Sequence, residues 1–143
     1  YAIDLLGMDW NQDGYPDLAM QSFSDRIQVF LNQDGASFER ILNLDVFPPG
    51  KLETIAAGDF NQDGFIDFAG IHLGQEGSQL LALYGDASNL YEDGEKNPLA
   101  GEASGNEQYV LDKMDIDRDG DVDLLFTQSP RDEMVFFENR LKP

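Results

Sequence analysis

Asp9-Trp10-Asn11-Gln12-Asp13-Gly14-Tyr15-Pro16-Asp17 is a nine-residue phrase that this chain writes three times. The second copy is Asp59-Phe60-Asn61-Gln62-Asp63-Gly64-Phe65-Ile66-Asp67, and the third is Asp115-Ile116-Asp117-Arg118-Asp119-Gly120-Asp121-Val122-Asp123. All three obey D-x-[DN]-x-D-G-x-x-D. Oxygen-bearing side chains at positions 1, 3, 5 and 9, curled around a turn glycine at position 6, suit a hard cation. Calcium takes roughly six to eight oxygen ligands, and one tight loop can supply most of them. The glycine permits a reversal that a Cβ resists. Position 7 (Tyr15, Phe65, Asp121) is expected to offer its backbone carbonyl, which leaves its side chain free to vary. A set of tight Asx turns would explain one or two acidic residues per loop. It does not explain four aligned oxygen positions in three copies.

Each phrase sits in the same local order. An apolar stretch precedes it (Ala2–Met8, Thr54–Gly58, Tyr109–Met114), and a second follows at Leu18–Met20, Phe68–Ile71 and Leu124–Phe126. After a polar turn comes a third, Ile27–Leu31, Leu80–Tyr84 and Met134–Phe137. Runs this short, rich in β-branched and aromatic residues and punctuated by Gly, Asp and Asn, predict strands. Ser37–Leu42 is a fourth strand of unit one, and Asn89–Tyr91 a weaker fourth of unit two. Between the third and fourth strands of unit one, Asn32-Gln33-Asp34-Gly35 reads as a hairpin turn. The Gly-, Asp- and Glu-rich segment 85–108 reads as a long exposed loop. The phrases start 50 and then 56 residues apart. Four-stranded antiparallel units at such a period mark a β-propeller. The expectation is an all-β chain forming one repeat domain over residues 1–143, with blades near 1–47, 48–106 and 107–143. Three blades leave the ring incomplete unless further chain or a partner completes it, because propellers close with about four to eight.

The formal charge is −19, and eleven aspartates inside the three loops account for more than half of it. This charge belongs to the loops, not to a solvating tail, and it excludes the basic stripe that nucleic acid needs. The chain has no cysteine, hence no disulfide, zinc thiolate or thiol catalysis. No apolar run reaches the roughly 18 residues of a membrane span, so no membrane insertion is expected. The sequence opens inside a strand-like segment, as an excised piece of a longer protein would.

The loops, each running into Asp-Leu or Asp-Phe, and the Val29–Phe38 turn resemble the FG-GAP and VCBS repeats of integrin-α-type β-propellers. The resemblance spans nearly the whole chain apart from 85–108. Phe-Gly and Gly-Ala-Pro tracts are missing, which places it nearer the VCBS-like bacterial branch. It implies a Ca²⁺ between the first two strands of each blade, about three in all. The ligands it implies are Asp9, Asn11, Asp13 and Asp17; Asp59, Asn61, Asp63 and Asp67; and Asp115, Asp117, Asp119 and Asp123. EF-hand and dockerin modules share part of the phrase but close with an acidic residue at position 12. Here that place holds Met20, Gly70 and Phe126.

No catalytic constellation is visible. His72, the lone histidine, lacks an identifiable partner and reads as a packed strand residue. Trp10, Phe60 and Ile116, all at position 2 of their loops, are expected to pack between blades. The expected function is non-enzymatic: a calcium-stabilised module of a secreted or cell-surface protein, serving adhesion, scaffolding or the binding of protein or carbohydrate ligands. Weak aspartate loops are useful where calcium is near millimolar, outside the cell. Two alternatives stand beside it. One is a subunit of a larger homo-oligomer or extracellular filament that completes the propeller. The other is an accessory domain of a secreted carbohydrate-active enzyme.

Overall fold

The computed structural model describes residues 2–22, 26–45, 50–74, 77–88, 90–98, 108–129 and 133–139. Eleven strands in three antiparallel sheets make up the fold, with no helix among the described residues. By its internal packing the chain divides into two compact units, Tyr1–Pro49 and Gly50–Pro143.

The first unit is one four-stranded sheet of β1 (Ala2–Met8), β2 (Asp17–Ser22), β3 (Ile27–Gln33) and β4 (Ser37–Leu44), in that spatial order. Residues of β2 alternate between buried and half-buried, the period of two that a pleated strand imposes. Its buried side pairs Ala19 with Val29 and Gln21 with Ile27. The β3–β4 hairpin turns through Asp34 and Gly35 as expected, both at positive φ (51° and 77°). Ala36 N–H donates to Gln33 O at 2.9 Å, which gives the primed geometry that suits strand twist.

The second unit holds two sheets. One runs β5 (Lys51–Gly58), β6 (Asp67–Gly74), β7 (Gly77–Gly85) and β8 (Tyr91–Pro98); the other runs β9 (Gln108–Met114), β10 (Asp123–Ser129) and β11 (Glu133–Phe137) in the order β11-β10-β9. Among the described residues the third sheet has three strands, matching the three apolar stretches of its unit. The long loop expected over 85–108 is corrected where residues 91–98 form β8, and its part 99–107 lies outside the described residues. Tyr91-Glu92-Asp93-Gly94-Glu95-Lys96-Asn97-Pro98 has almost no strand propensity. It pairs only with β7, however, and an edge strand tolerates charges, glycine and proline. The register slips between Leu81 and Leu83, where Gly94 and Glu95 stand opposite Ala82 in a bulge. The connection before β8 is short and held by Asp86, whose Oδ1 accepts from Ser88 N–H (2.7 Å) and Leu90 N–H (3.0 Å).

Between these two sheets lies an apolar core of Ala56, Phe60, Ala69, Ile71 and Leu80 against Tyr109, Leu111 and Phe126. β6 is buried on both faces along Asp67–His72, which explains why its sequence runs apolar without alternation. His72 is packed as expected. A Cβ built on Gly50 would lie 2.4 Å from its Nε2, so only glycine lets the chain pass there.

Candidate metal loops

All three nine-residue phrases link the first strand of a sheet to the second, and their backbones repeat closely. Position 4 is left-handed in every copy, with φ of 60° at Gln12, 60° at Gln62 and 65° at Arg118. Position 6 follows at 89°, 89° and 97° in Gly14, Gly64 and Gly120. Nothing lies within 4 Å of a Cβ built on these three glycines. Their requirement is therefore conformational, not steric.

Side-chain oxygens hold this shape by turning inward onto the loop's own amides. Asp9 accepts from Asp13 N–H (3.1 Å) and Gly14 N–H (3.0 Å), and Asp59 from Asp63 N–H (3.0 Å) and Gly64 N–H (2.9 Å). Asp115 accepts from Gly120 N–H at 3.2 Å. Position 3 accepts from the amide of position 5, at 3.2 Å for Asn11, 3.1 Å for Asn61 and 3.2 Å for Asp117. Position 5 accepts from position 7: Asp13 from Tyr15, Asp63 from Phe65, Asp119 from Asp121. The amides of Asn11 and Asn61 also donate to Asp13 and Asp63 at 2.8 and 2.9 Å.

Position 9 is different in kind. Asp17, Asp67 and Asp123 are fully buried, and each spends both oxygens on backbone amides. One oxygen accepts from position 2 of its own loop: Trp10 (2.8 Å), Phe60 (2.8 Å) and Ile116 (2.9 Å). The other reaches the end of the third strand, to the N–H of Asn32 (2.7 Å), Gly85 (2.9 Å) and Asn139 (2.8 Å). The same place also caps the carbonyl of position 8. Asn32 Nδ2 donates to Pro16 O at 3.0 Å and Asn139 Nδ2 to Val122 O at 3.3 Å. Blade two has Gly85 there, and Tyr91 Oη donates to Ile66 O instead, at 3.0 Å. A Cβ on Gly85 would sit 2.5 Å from that same oxygen, so the tyrosine route needs the glycine.

Reading the sequence assigned position 9 a ligand's role and missed this second one, together with Asn32, Gly85, Tyr91 and Asn139. The available signal was an asparagine just after the third strand in units one and three (Phe30-Leu31-Asn32, Phe137-Glu138-Asn139). Of the position-2 side chains, Phe60 packs against the third blade as expected, and Asn139 Nδ2 donates to its carbonyl at 2.7 Å. Trp10 is half-buried. Ile116 corrects the expectation: at 39 % exposure it is not buried as Phe60 is.

The third loop concentrates the charge. Single carboxylate oxygens of Asp115, Asp117 and Asp123 lie within 4.8 Å of one another, a grouping that could hold a metal ion. These are positions 1, 3 and 9; in the first two loops position 3 is an asparagine. Crowding and burial raise the proton affinity of several loop carboxyls. Burial pushes Asp67 up to about 6, against the amides of Gly85, Phe60 and Asn61 that lower it, and the charge of Asp63 adds to the rise. Asp121 is pushed to about 6 by its desolvation first and then by Asp119, Asp123 and Asp117. Asp117 moves the same way, its desolvation and the charges of Asp119 and Asp123 outweighing the Asp119 amide. Carboxylates pushed up in this manner gain from a nearby cation, which favours their charged form.

Two comparisons bear on what the loops belong to. No curated protein matches the chain. Residues 9–70 match the FG-GAP-like repeat, a stretch that opens on the first aspartate of loop one, takes in loop two and ends inside β6. FG-GAP-like repeats are units of β-propeller-type binding modules, and the sheets here are propeller-type blades, each with its loop between first and second strands. Residues 9–70 thus belong to the FG-GAP-like repeat family.

Proposed function

We propose that this chain is a non-enzymatic, calcium-binding module of a secreted or cell-surface protein, one that binds protein or carbohydrate partners through a calcium-stiffened propeller surface. A single observation carries the reading: one loop conformation recurs in three copies of an all-oxygen side-chain pattern, and in the third it brings three carboxylates within reach of one ion. The side chains at positions 1, 3, 5 and 9 are all Asp or Asn, with no nitrogen ring or thiol. That chemistry fits calcium and not zinc or copper. Asp9, Asn11, Asp13 and Asp17 would hold the first ion. Asp59, Asn61, Asp63 and Asp67 would hold the second, and Asp115, Asp117, Asp119 and Asp123 the third. Tyr15, Phe65 and Asp121 would add backbone carbonyls. A bound ion supplies positive charge where the chain has gathered negative charge. Such loops stiffen a blade and leave little coordination room for a substrate, which is why the role is structural.

The test is thermal unfolding of the full chain in calcium and in chelator. An ion that binds only the folded state at about 100 times its Kd stabilises it by roughly 2.7 kcal/mol per site. The midpoint is expected to rise steeply with calcium; an unchanged midpoint sinks the reading.

A second reading concerns partners. The third sheet carries exposed apolar Val110, Met134 and Phe136 on the face that corresponds in register to the face of the second sheet that the third covers. A further blade, from another copy of this chain, is the partner whose chemistry matches it.

A further inference from the structure

The third loop departs from the other two at position 7. Tyr15 and Phe65 turn outward there, at 41 % and 40 % exposure, whereas Asp121 is 4 % exposed. Its Oδ1 is buried and meets no hydrogen-bond donor. Its carboxyl lies against that of Asp119 and in the field of Asp123 and Asp117. Beside it, Asp115, Asp117 and Asp123 bring three oxygens within 4.8 Å. A carboxylate shielded from water among like charges, with an oxygen unsatisfied, destabilises the fold unless an opposite charge joins it. Among the described residues, the groups that act on Asp121 are the carboxylates of Asp119, Asp123 and Asp117.

We propose that Asp121 contributes its side-chain carboxylate to the cation of the third loop, making this the tightest of the three sites and the last to empty as calcium falls. This rests on the calcium reading above and adds to it a side-chain donor at a position where the loop pattern asks only for a carbonyl. The affinity of oxygen-ligand loops for calcium is set by their charge count and rigidity, across several orders of magnitude. Loop three carries five aspartates against three in each of the others.

Calorimetric titration of the chelator-stripped full chain with calcium chloride tests the proposal, wild type beside Asp121→Asn. The amide keeps the side chain's shape and removes one charge. One of three sites is expected to weaken by about tenfold, with the other two unchanged. Thermal melts give a second readout that a merely structural role would not move. In chelator the variant is expected to melt above the wild type, because repulsion within the loop is relieved; in saturating calcium it is expected to melt below. Three unchanged sites, or melts that shift the same way in both conditions, overturn the role of Asp121. A wild type that binds no calcium at all is a different result and overturns the calcium reading together with this one.

Discussion

Within one loop, four aspartate or asparagine positions look alike in the sequence, and the structure separates them into two jobs. Positions 1, 3 and 5 lie at the loop's surface, where water can replace their contacts. Position 9 is buried and ties the loop to the far end of the third strand. Asp67 shows the difference most fully, accepting from Phe60, Asn61 and Gly85. Asp67→Ala leaves those three amides without their acceptor, at about 1–3 kcal/mol for each that stays dry. Part of this is offset because a costly buried carboxyl also disappears. The expected net loss is about 2 kcal/mol or more in chelator, where calcium plays no part. Asp63→Ala, at an exposed neighbour in the same loop, is expected to cost less than about 1 kcal/mol in chelator and to do its damage only when calcium is present. Urea unfolding of both variants, with and without calcium, checks this. Equal losses in chelator would show that position 9 is no staple. The loop pattern was legible from spacing because its members are near neighbours. The staple was not, because its partners Asn32, Gly85 and Asn139 lie 15, 18 and 16 residues further on.

Strands were readable wherever burial dictated composition, and unreadable where it did not. β6, buried along Asp67–His72, was legible in the apolar run Phe68–Ile71, and the Asp34-Gly35 turn declared itself through the dipeptide that tolerates positive φ. β8 was taken for loop because an edge strand needs no apolar alternation and is better protected by charge. What fixes β8 is its first residue. Tyr91 stacks obliquely on Phe68, with ring centroids 5.6 Å apart, and its hydroxyl caps Ile66 O. Burial, with the charges of Asp67 and Asp86, pushes its phenol further up, so it remains a donor at any working pH. Tyr91→Phe keeps the ring and orphans the carbonyl, an expected cost of about 1 kcal/mol. Gly85→Ala is expected to cost more, because its methyl would press on backbone at Ile66 and not on a movable side chain. Denaturant melts rank the two variants; the reverse order would mean that the tyrosine, not the glycine, is the stricter requirement of this joint.

For the whole chain, the repeat makes its faces comparable, and the comparison exposes what is unfinished. On the second sheet Ala56 pairs with Ala69 and Ile71 with Leu80, and these four are buried beneath the third sheet. Counting from the loop aspartates, their counterparts on the third sheet are Asp112 with Leu125 and Thr127 with Met134. The register is the same and the cover is gone: Met134 is 71 % exposed, and Val110 and Phe136 flank it in the open. Ile116 completes the correspondence as the uncovered counterpart of Phe60. Exposed apolar side chains gathered on one sheet face mark an interaction surface more often than they mark accident. Sheets covered in this way bury their neighbours through heterologous contacts, which can repeat from copy to copy. The full chain in calcium is therefore expected to associate with rising concentration. Met134→Lys is expected to abolish that association while leaving the unfolding midpoint unchanged, since the residue supports nothing within its own blade. Light scattering across a concentration series, with a thermal melt of each protein, decides it. A wild type that stays monomeric throughout removes the second copy as the occupant of this face, and a variant that melts early would show that Met134 serves its own fold instead.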